Sequence, residues 1–420
     1  MTTAPLLDLR PARQRGQATG ITSVCSSHPQ VIAAALALGR TTGKPVLIEA
    51  TCNQVNQDGG YTGMAPADFR HFVAAIAAQE GFDLKNLILG GDHLGPNPWK
   101  DLPADQAMEK ACTMIAAYAA AGFKKLHLDA SMPCADDPNP LPDATIAARS
   151  ARLAAAAEAH AIGEPPVYVI GTEVPVPGGA LELVEHLTVT TPDAARATVA
   201  LHEQEFARHA ITAAFARVIG LVVQPGVEFG NENVIPYHPD AATALVAALD
   251  TLPLIYEAHS TDYQTTEALT ALVRDGFAIL KVGPGLTFAL REALYGLDHI
   301  ASALHPDRVT SLRATIERLM LDRPEHWAKY YPGSADHQHL QRHFSYSDRI
   351  RYYWTDPIAS AAVNDLLALL GDRSLPEPLI SQYLAALYPQ VMSGQTPPQA
   401  RSLIRAAITN VLASYAKACP

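Results

Sequence analysis

From about residue 16 to residue 300 the chain repeats one theme: a short apolar run ending in small or polar residues, then an alanine-rich amphipathic stretch. The runs are Gly20–Val24, Pro45–Ala50, Leu87–Gly90, Lys125–Asp129, Val167–Gly171, Ile219–Val223, Leu254–Glu257 and Ala278–Val282, eight in all. The stretches between them, among them Pro29–Gly39, Pro66–Gln79, Ala104–Ala121, Thr145–His160, Pro192–Phe215 and Thr265–Asp275, are long enough for crossover helices. Strands that alternate with helices imply a parallel sheet. Eight such units in roughly 280 residues favour closure into a (β/α)8 barrel over an open doubly wound sheet. No GxGxxG follows the first run and no GxxxxGK[ST] occurs, so neither a dinucleotide site nor a P-loop kinase has support.

Residues 301–420 read differently, as helical patterns (Thr310–Leu319, Pro357–Leu370, Leu379–Tyr388, Pro398–Lys417) around a polar, aromatic and histidine-rich patch, Trp327–Trp354. We read residues 1–300 as the barrel and 301–420 as a helical extension packed on it. The net charge of −11 argues against a nucleic-acid surface, which needs a basic face. It leaves room for a phosphorylated small molecule, because a phosphate site needs only local donors. Five scattered cysteines with no CxxC pair speak against a structural zinc site. With no signal-peptide pattern and no bilayer-length apolar run, a cytoplasmic protein is expected.

Barrel enzymes carry their chemistry at the carboxyl ends of the strands. Five consecutive runs here end in Asp, Glu or His: Asp92-His93, Asp129-Ala130-Ser131, Glu173, Glu228, and Glu257-Ala258-His259. Carboxylates and imidazoles converging on one mouth can hold a divalent ion and supply a base. For Asp129 and Glu228 a helix N-cap is an equally good reading. The eighth run continues as Lys281-Val282-Gly283-Pro284-Gly285-Leu286-Thr287. Its glycines would let backbone N–H groups approach an anion at a helix N-terminus, the usual phosphate position in such barrels. Lys281, Gly283, Gly285 and Thr287 are therefore expected on the substrate or its phosphate. His28 before Pro29 reads as a helix start, Tyr352, Tyr353 and Trp354 as core or interface, and Tyr346–Arg349 as a candidate polar cap over the mouth.

Asp92-His93 followed by Asp129-Ala130-Ser131 is similar to the class II, metal-dependent ketose-bisphosphate aldolases. The stretches IEATCNQVNQDGGYTGM (48–64), GGDHLGPNPW (90–99), GTEVPVPGG (171–179), VQPGVEFG (223–230), YEAHSTDYQ (256–264), LKVGPGLTFALREALY (280–295) and YSDRIRYYW (346–354) resemble the GatZ/KbaZ branch over essentially the whole chain. Its members carry the labels tagatose-bisphosphate aldolase accessory subunit, tagatose 6-phosphate kinase and D-tagatose 6-phosphate 4-epimerase. The resemblance implies a catalytic pair, Asp92 and Glu173, and a metal set drawn from His93, His259, Glu228 and Glu257. It places Asp129 and Ser131 at the substrate. The ion it implies is zinc first, with manganese or magnesium as alternatives. The chain departs from the aldolase pattern where those enzymes have later histidine ligands: Gln224 and Glu228 follow the sixth run, and Glu257 with His259 the seventh. The activity implied is 4-epimerisation of tagatose 6-phosphate by retro-aldol and aldol steps. A stabilising aldolase subunit and a ketose-bisphosphate aldolase are the alternatives. Expected partners are a phosphorylated ketose, copies of the same chain and an aldolase catalytic subunit, with no nucleic acid and no membrane.

Overall fold

All eight apolar runs become strands, and the strands close on themselves. The computed structural model describes residues 2–172 and 187–420. The strands are β1 (Ile21–Cys25), β2 (Val46–Thr51), β3 (Leu87–Leu94), β4 (Lys125–Leu128), β5 (Val167–Ile170), β6 (Val218–Val223), β7 (Ile255–Ala258) and β8 (Phe277–Val282). Each pairs in parallel with its sequence neighbours, and β8 closes the ring on β1 through Ile21↔Ile279 to Val24↔Val282. Strands covered by helices outside and by side chains inside have no exposed face, which is why they read as apolar runs rather than alternating ones.

The crossover helices start where proline fits the first turn: Pro29–Thr42, Pro66–Glu80, Pro192–Arg208, Pro239–Ala248 and Pro284–Leu304 all have proline at their start. His28 is the N-cap expected of it, its Nδ1 accepting from Gln30 N–H at 3.2 Å. Two expected helices are broken. Pro192–Phe215 divides into Pro192–Arg208 and Thr212–Phe215, with Ala210 at φ 56° between them. Leu379–Tyr388 divides into Glu377–Tyr383 and Tyr388–Met392, because Pro389 has no N–H for the preceding turn and its ring opposes helix continuation.

The C-terminal helix Ala400–Ala418 packs against Pro29–Thr42, Thr266–Arg274 and Pro284–Leu304. One hydrophobic cluster runs from the barrel's outer helices into this region. Tyr415 ties it to the barrel mouth through a 2.7 Å hydrogen bond from its hydroxyl to the Thr261 carbonyl. Among the described residues no helix is long and apolar enough to cross a membrane.

Inside the barrel the two-residue period of the strands stacks the side chains in layers. Leu47, Ile88, Val167, Ile219, Ile255 and Ile279 form an apolar floor, joined from below by Leu6 and Leu9 of the N-terminal helices. Two residues further along the strands comes a charged layer: Ser23, Glu49, Lys125, Glu257 and Lys281, none more than 5% exposed. Gly90 makes room for it, since a Cβ there would lie 2.3 Å from Glu49 Oε1. Above it, at the carboxyl ends, lie Cys25, Asp92, His127, Asp129 and His259.

Candidate active site

The charged layer supports the mouth. Lys125 Nζ lies 2.8 Å from both Glu49 Oε1 and Glu257 Oε2. Lys281 Nζ lies 2.6 Å from Glu49 Oε2, 2.5 Å from Asp92 Oδ1 and 3.4 Å from Glu257 Oε1. Burial opposes the charges of Lys125, Glu257 and Lys281, but their opposing neighbours prevail. The Glu257 carboxyl is held well below its usual range by Lys125 and Lys281, and the ammonium of Lys281 well above its own by Asp92 and the glutamates. Paired in this way, the layer is a rigid electrostatic base for whatever binds above it.

Strand β3 runs further than its apolar part suggests, so Asp92 and His93 lie within it rather than after it. Between Gly91 and Leu94 its register against β4 slips by one residue, with His93 at φ 48°. Successive residues of a regular strand point to opposite faces, and a bulge of this kind re-aims one of them. Both side chains therefore reach the mouth, with His93 Nε2 3.7 Å from Asp92 Oδ2. Gly95 follows because β3 and β4 touch there: a Cβ would fall 1.6 Å from the Asp129 carbonyl oxygen.

Three imidazoles surround Asp92. The ring centres of His93, His127 and His259 stand 4.9–5.1 Å from one another. Each ring has a carboxylate on one nitrogen: His93 Nδ1 with Asp129 Oδ2 at 2.7 Å, His127 Nδ1 with Asp92 Oδ1 at 2.9 Å, and His259 Nε2 with Glu257 Oε1 at 2.9 Å. A carboxylate partner favours the proton on that nitrogen and leaves the other as a lone-pair donor, the arrangement typical of metal-ligating histidines. His127 Nδ1 also accepts from the His93 backbone N–H at 3.2 Å, and Asp92 and Asp129 raise the His93 imidazole above its usual range against its burial. Among the described residues His127 Nε2 is buried with no hydrogen-bond partner, as an atom reserved for another ligand would be. Ligand atoms of Asp92, His127, Glu257 and His259 lie within 4.8 Å of one another. Burial lowers the His259 imidazole to about 3, against the pull of Glu257, so it is neutral and able to ligate. The donor set therefore fits a divalent metal.

Asp92 is 2% exposed, yet His93, Lys281, His127 and His259 outweigh its burial and hold its carboxyl well below the usual range. Ser131 binds Asp129 through its hydroxyl, at 2.6 Å, and so orients the carboxylate that orients His93.

Several expected site residues stand apart from the ligand group or are already engaged with other groups. Glu228 begins a short hairpin, Glu228–Phe229 with Val234–Ile235, and is not part of the ligand group. Burial pushes its carboxyl up to about 7. The N–H groups of Gly283 and Gly285 do not face open space: both donate to Asp262 Oδ1, at 2.9 and 2.7 Å. The Asp262 carboxylate takes the position at the helix N-terminus that a phosphate was expected to fill. Thr287 donates to Asp348 Oδ2 at 2.6 Å, and Lys281 is engaged with three carboxylates. Glu173 lies outside the described residues.

Sequence reasoning missed His127 and the Glu49–Lys125 pair. A signal existed for His127: it precedes Asp129 by two residues and so shares its face of β4. It offered Tyr346–Arg349 as a cap over the mouth but did not single out Arg351, and it read Tyr352 as core or interface. The cavity over the three histidines is lined on one side by Asp92, His93, His259 and Lys281 and on the other by Tyr61, Arg351 and Tyr352. Tyr346–Arg349 does lie by the mouth, with Tyr263 donating to the Tyr346 carbonyl at 2.6 Å. Tyr353 and Trp354 are buried as expected, whereas Tyr352 reaches the cavity.

Comparison with known proteins agrees with this geometry. Residues 6–420 match the family described as D-tagatose-1,6-bisphosphate aldolase subunit GatZ/KbaZ-like. A protein of Agrobacterium fabrum (strain C58), named D-tagatose 6-phosphate 4-epimerase, is 54% identical over 420 residues, covering 98% of each chain. A crystal structure from Sinorhizobium meliloti 1021, described as a probable tagatose 6 phosphate kinase, superposes with a TM-score of 0.89 at 58% identity. The match covers 95% of this chain and all of that one.

Proposed function

The chain belongs to the GatZ/KbaZ-like family, and from that premise we propose that it is a D-tagatose 6-phosphate 4-epimerase, interconverting tagatose 6-phosphate and fructose 6-phosphate. The observation that carries the reading is Asp92, an ionised carboxylate set among three carboxylate-backed histidines. The two sugars differ only at C4. The C4 proton is not next to the C2 carbonyl, so direct deprotonation there is unfavourable. The C4 hydroxyl is β to that carbonyl, which suits cleavage of the C3–C4 bond. Asp92, or Glu173 in the same role, takes the C4 hydroxyl proton. The electrons of the C3–C4 bond pass toward C2 and its oxygen, giving an enediolate and an enclosed aldehyde that carries the phosphate. The aldehyde turns its other face, the bond re-forms, and the same carboxyl returns the proton. This is aldolase chemistry with both fragments retained, and the cavity walls must keep water out and the aldehyde in.

A divalent ion held by His127 and His259, with Glu257 behind them and His93 beside the group, would supply Lewis acidity at the ketose oxygens. A nitrogen-rich donor set favours zinc over manganese or magnesium. The Sinorhizobium relative's kinase description finds no support in a nucleotide motif of this sequence, which lacks a GxxxxGK[ST] loop. The family's description favours a second reading, a subunit that supports a tagatose-bisphosphate aldolase.

One assay separates these readings. The purified chain, alone with a divalent metal and tagatose 6-phosphate, should form fructose 6-phosphate. Turnover that requires an added aldolase partner would refute the epimerase reading, and net release of triose phosphate would indicate an aldolase.

A further inference from the structure

We propose, resting on the phosphorylated-ketose reading above, that Arg351 of the C-terminal region binds the substrate's phosphate in a recess beside the main cavity. Arg351 sits on the turn Arg349–Tyr353 and lines both spaces. The smaller recess also has Ser26, Ser27 and Thr287 on its wall, and it shares Cys25, Gln54, Tyr61 and Gly283 with the main cavity. A hexose phosphate placed across the two would keep its C2–C4 end at Asp92 and the histidines and its phosphate among hydroxyls and a guanidinium.

The expected phosphate donors are already engaged. Lys281 faces Glu49, Asp92 and Glu257, and the N–H groups of Gly283 and Gly285 face Asp262. Asp348, the nearest carboxylate in sequence to Arg351, is turned to Thr287 and Arg291. The guanidinium of Arg351 is held by neutral groups: the carbonyls of Ser347 and Asp348, and the Tyr352 hydroxyl at 3.0 Å. Among the described residues it forms no ion pair with a carboxylate. Asp348 and Asp262 act on it only at a distance, and a guanidinium fixed in a cavity wall with no carboxylate in direct contact is preorganised for an anion, its planar fork matching phosphate oxygens. The barrel thus supplies the reacting end of the site and the C-terminal region the end that recognises the phosphate.

The test compares wild type with Arg351→Gln and Arg351→Lys on tagatose 6-phosphate and on unphosphorylated tagatose, with thermal melts to check folding. We expect Arg351→Gln to raise KM for the phosphorylated sugar roughly 10- to 100-fold. Its kcat should fall far less than KM rises, Arg351→Lys should recover part of the loss, and the loss in kcat/KM on tagatose should be several-fold smaller than on tagatose 6-phosphate. An unchanged KM, or an equal loss on both sugars, would overturn the assignment. Calorimetry with inorganic phosphate provides an arm independent of turnover. Binding by wild type that disappears in Arg351→Gln supports the recess even if the chain epimerises nothing. Equal binding by both proteins, or none by wild type, overturns it while leaving the epimerase reading to its own assay.

Discussion

Asp92→Asn isolates the chemistry from the fold, because the surroundings of Asp92 allow the change to be made without a large structural cost. Three buried carboxylates, Glu49, Asp92 and Glu257, face two ammonium groups, Lys125 and Lys281. Asparagine leaves two carboxylates against two ammoniums, so no charge is stranded. Its carbonyl oxygen can still accept from Lys281 or from His127, which now stand 2.5 and 2.9 Å from Asp92 Oδ1. The variant should therefore melt within a few degrees of wild type. What it loses is the base that takes the C4 hydroxyl proton. General acid–base catalysis contributes about 10²- to 10⁴-fold, which is ~2.7–5.5 kcal/mol of barrier. A coupled assay for fructose 6-phosphate, run with enough enzyme to detect a 10⁴-fold loss, should show kcat reduced by that range with KM little changed. A rate within about threefold of wild type would remove Asp92 from the mechanism. A melt lowered by tens of degrees would mean that the loss is structural and that the charge bookkeeping above is wrong.

Three further outcomes are expected. Lys125→Met leaves Glu49 and Glu257 short of a partner in the barrel interior and should cost ~3–5 kcal/mol in urea denaturation; a cost below ~1 kcal/mol would show that Lys281 alone neutralises the layer. Glu317 is held near 2 by Arg342, His339 and His343 against its burial. Its folded-state value lies below the usual 4.5, so its contribution, ~1 kcal/mol after allowing for solvent exposure, is present above pH 4.5 and fades as the pH falls toward 2. Denaturation midpoints of wild type and Glu317→Gln should thus differ most at pH 6, draw together below pH 4.5 and converge near pH 2, and a constant difference would refute the ion-pair account. Exhaustive chelation should abolish turnover, with zinc restoring it; full activity in protein shown metal-free by atomic absorption would exclude an ion from the histidine cluster.

The sequence by itself determined the barrel, because strand and helix periods are local and the covered faces of parallel strands leave apolar runs that can be counted. All eight runs, Gly20–Val24 through Ala278–Val282, stand where the strands stand. It also determined which strand ends bear carboxylates and imidazoles. It could not show which of them meet, since that depends on the stagger of neighbouring strands around the ring. Lys125 reads as the start of a run and Glu49 as a lapse within one, yet closure brings them within 2.8 Å. The one-residue slip in β3 that turns Asp92 and His93 to the same side is a pairing property, invisible in either strand alone. Gly283 and Gly285 looked like an anion site because their backbone was legible, whereas Asp262, the side chain that occupies it, was placed there only by the packing. Arg351, some seventy residues beyond the last strand, enters the site only because the C-terminal region folds back over the barrel mouth.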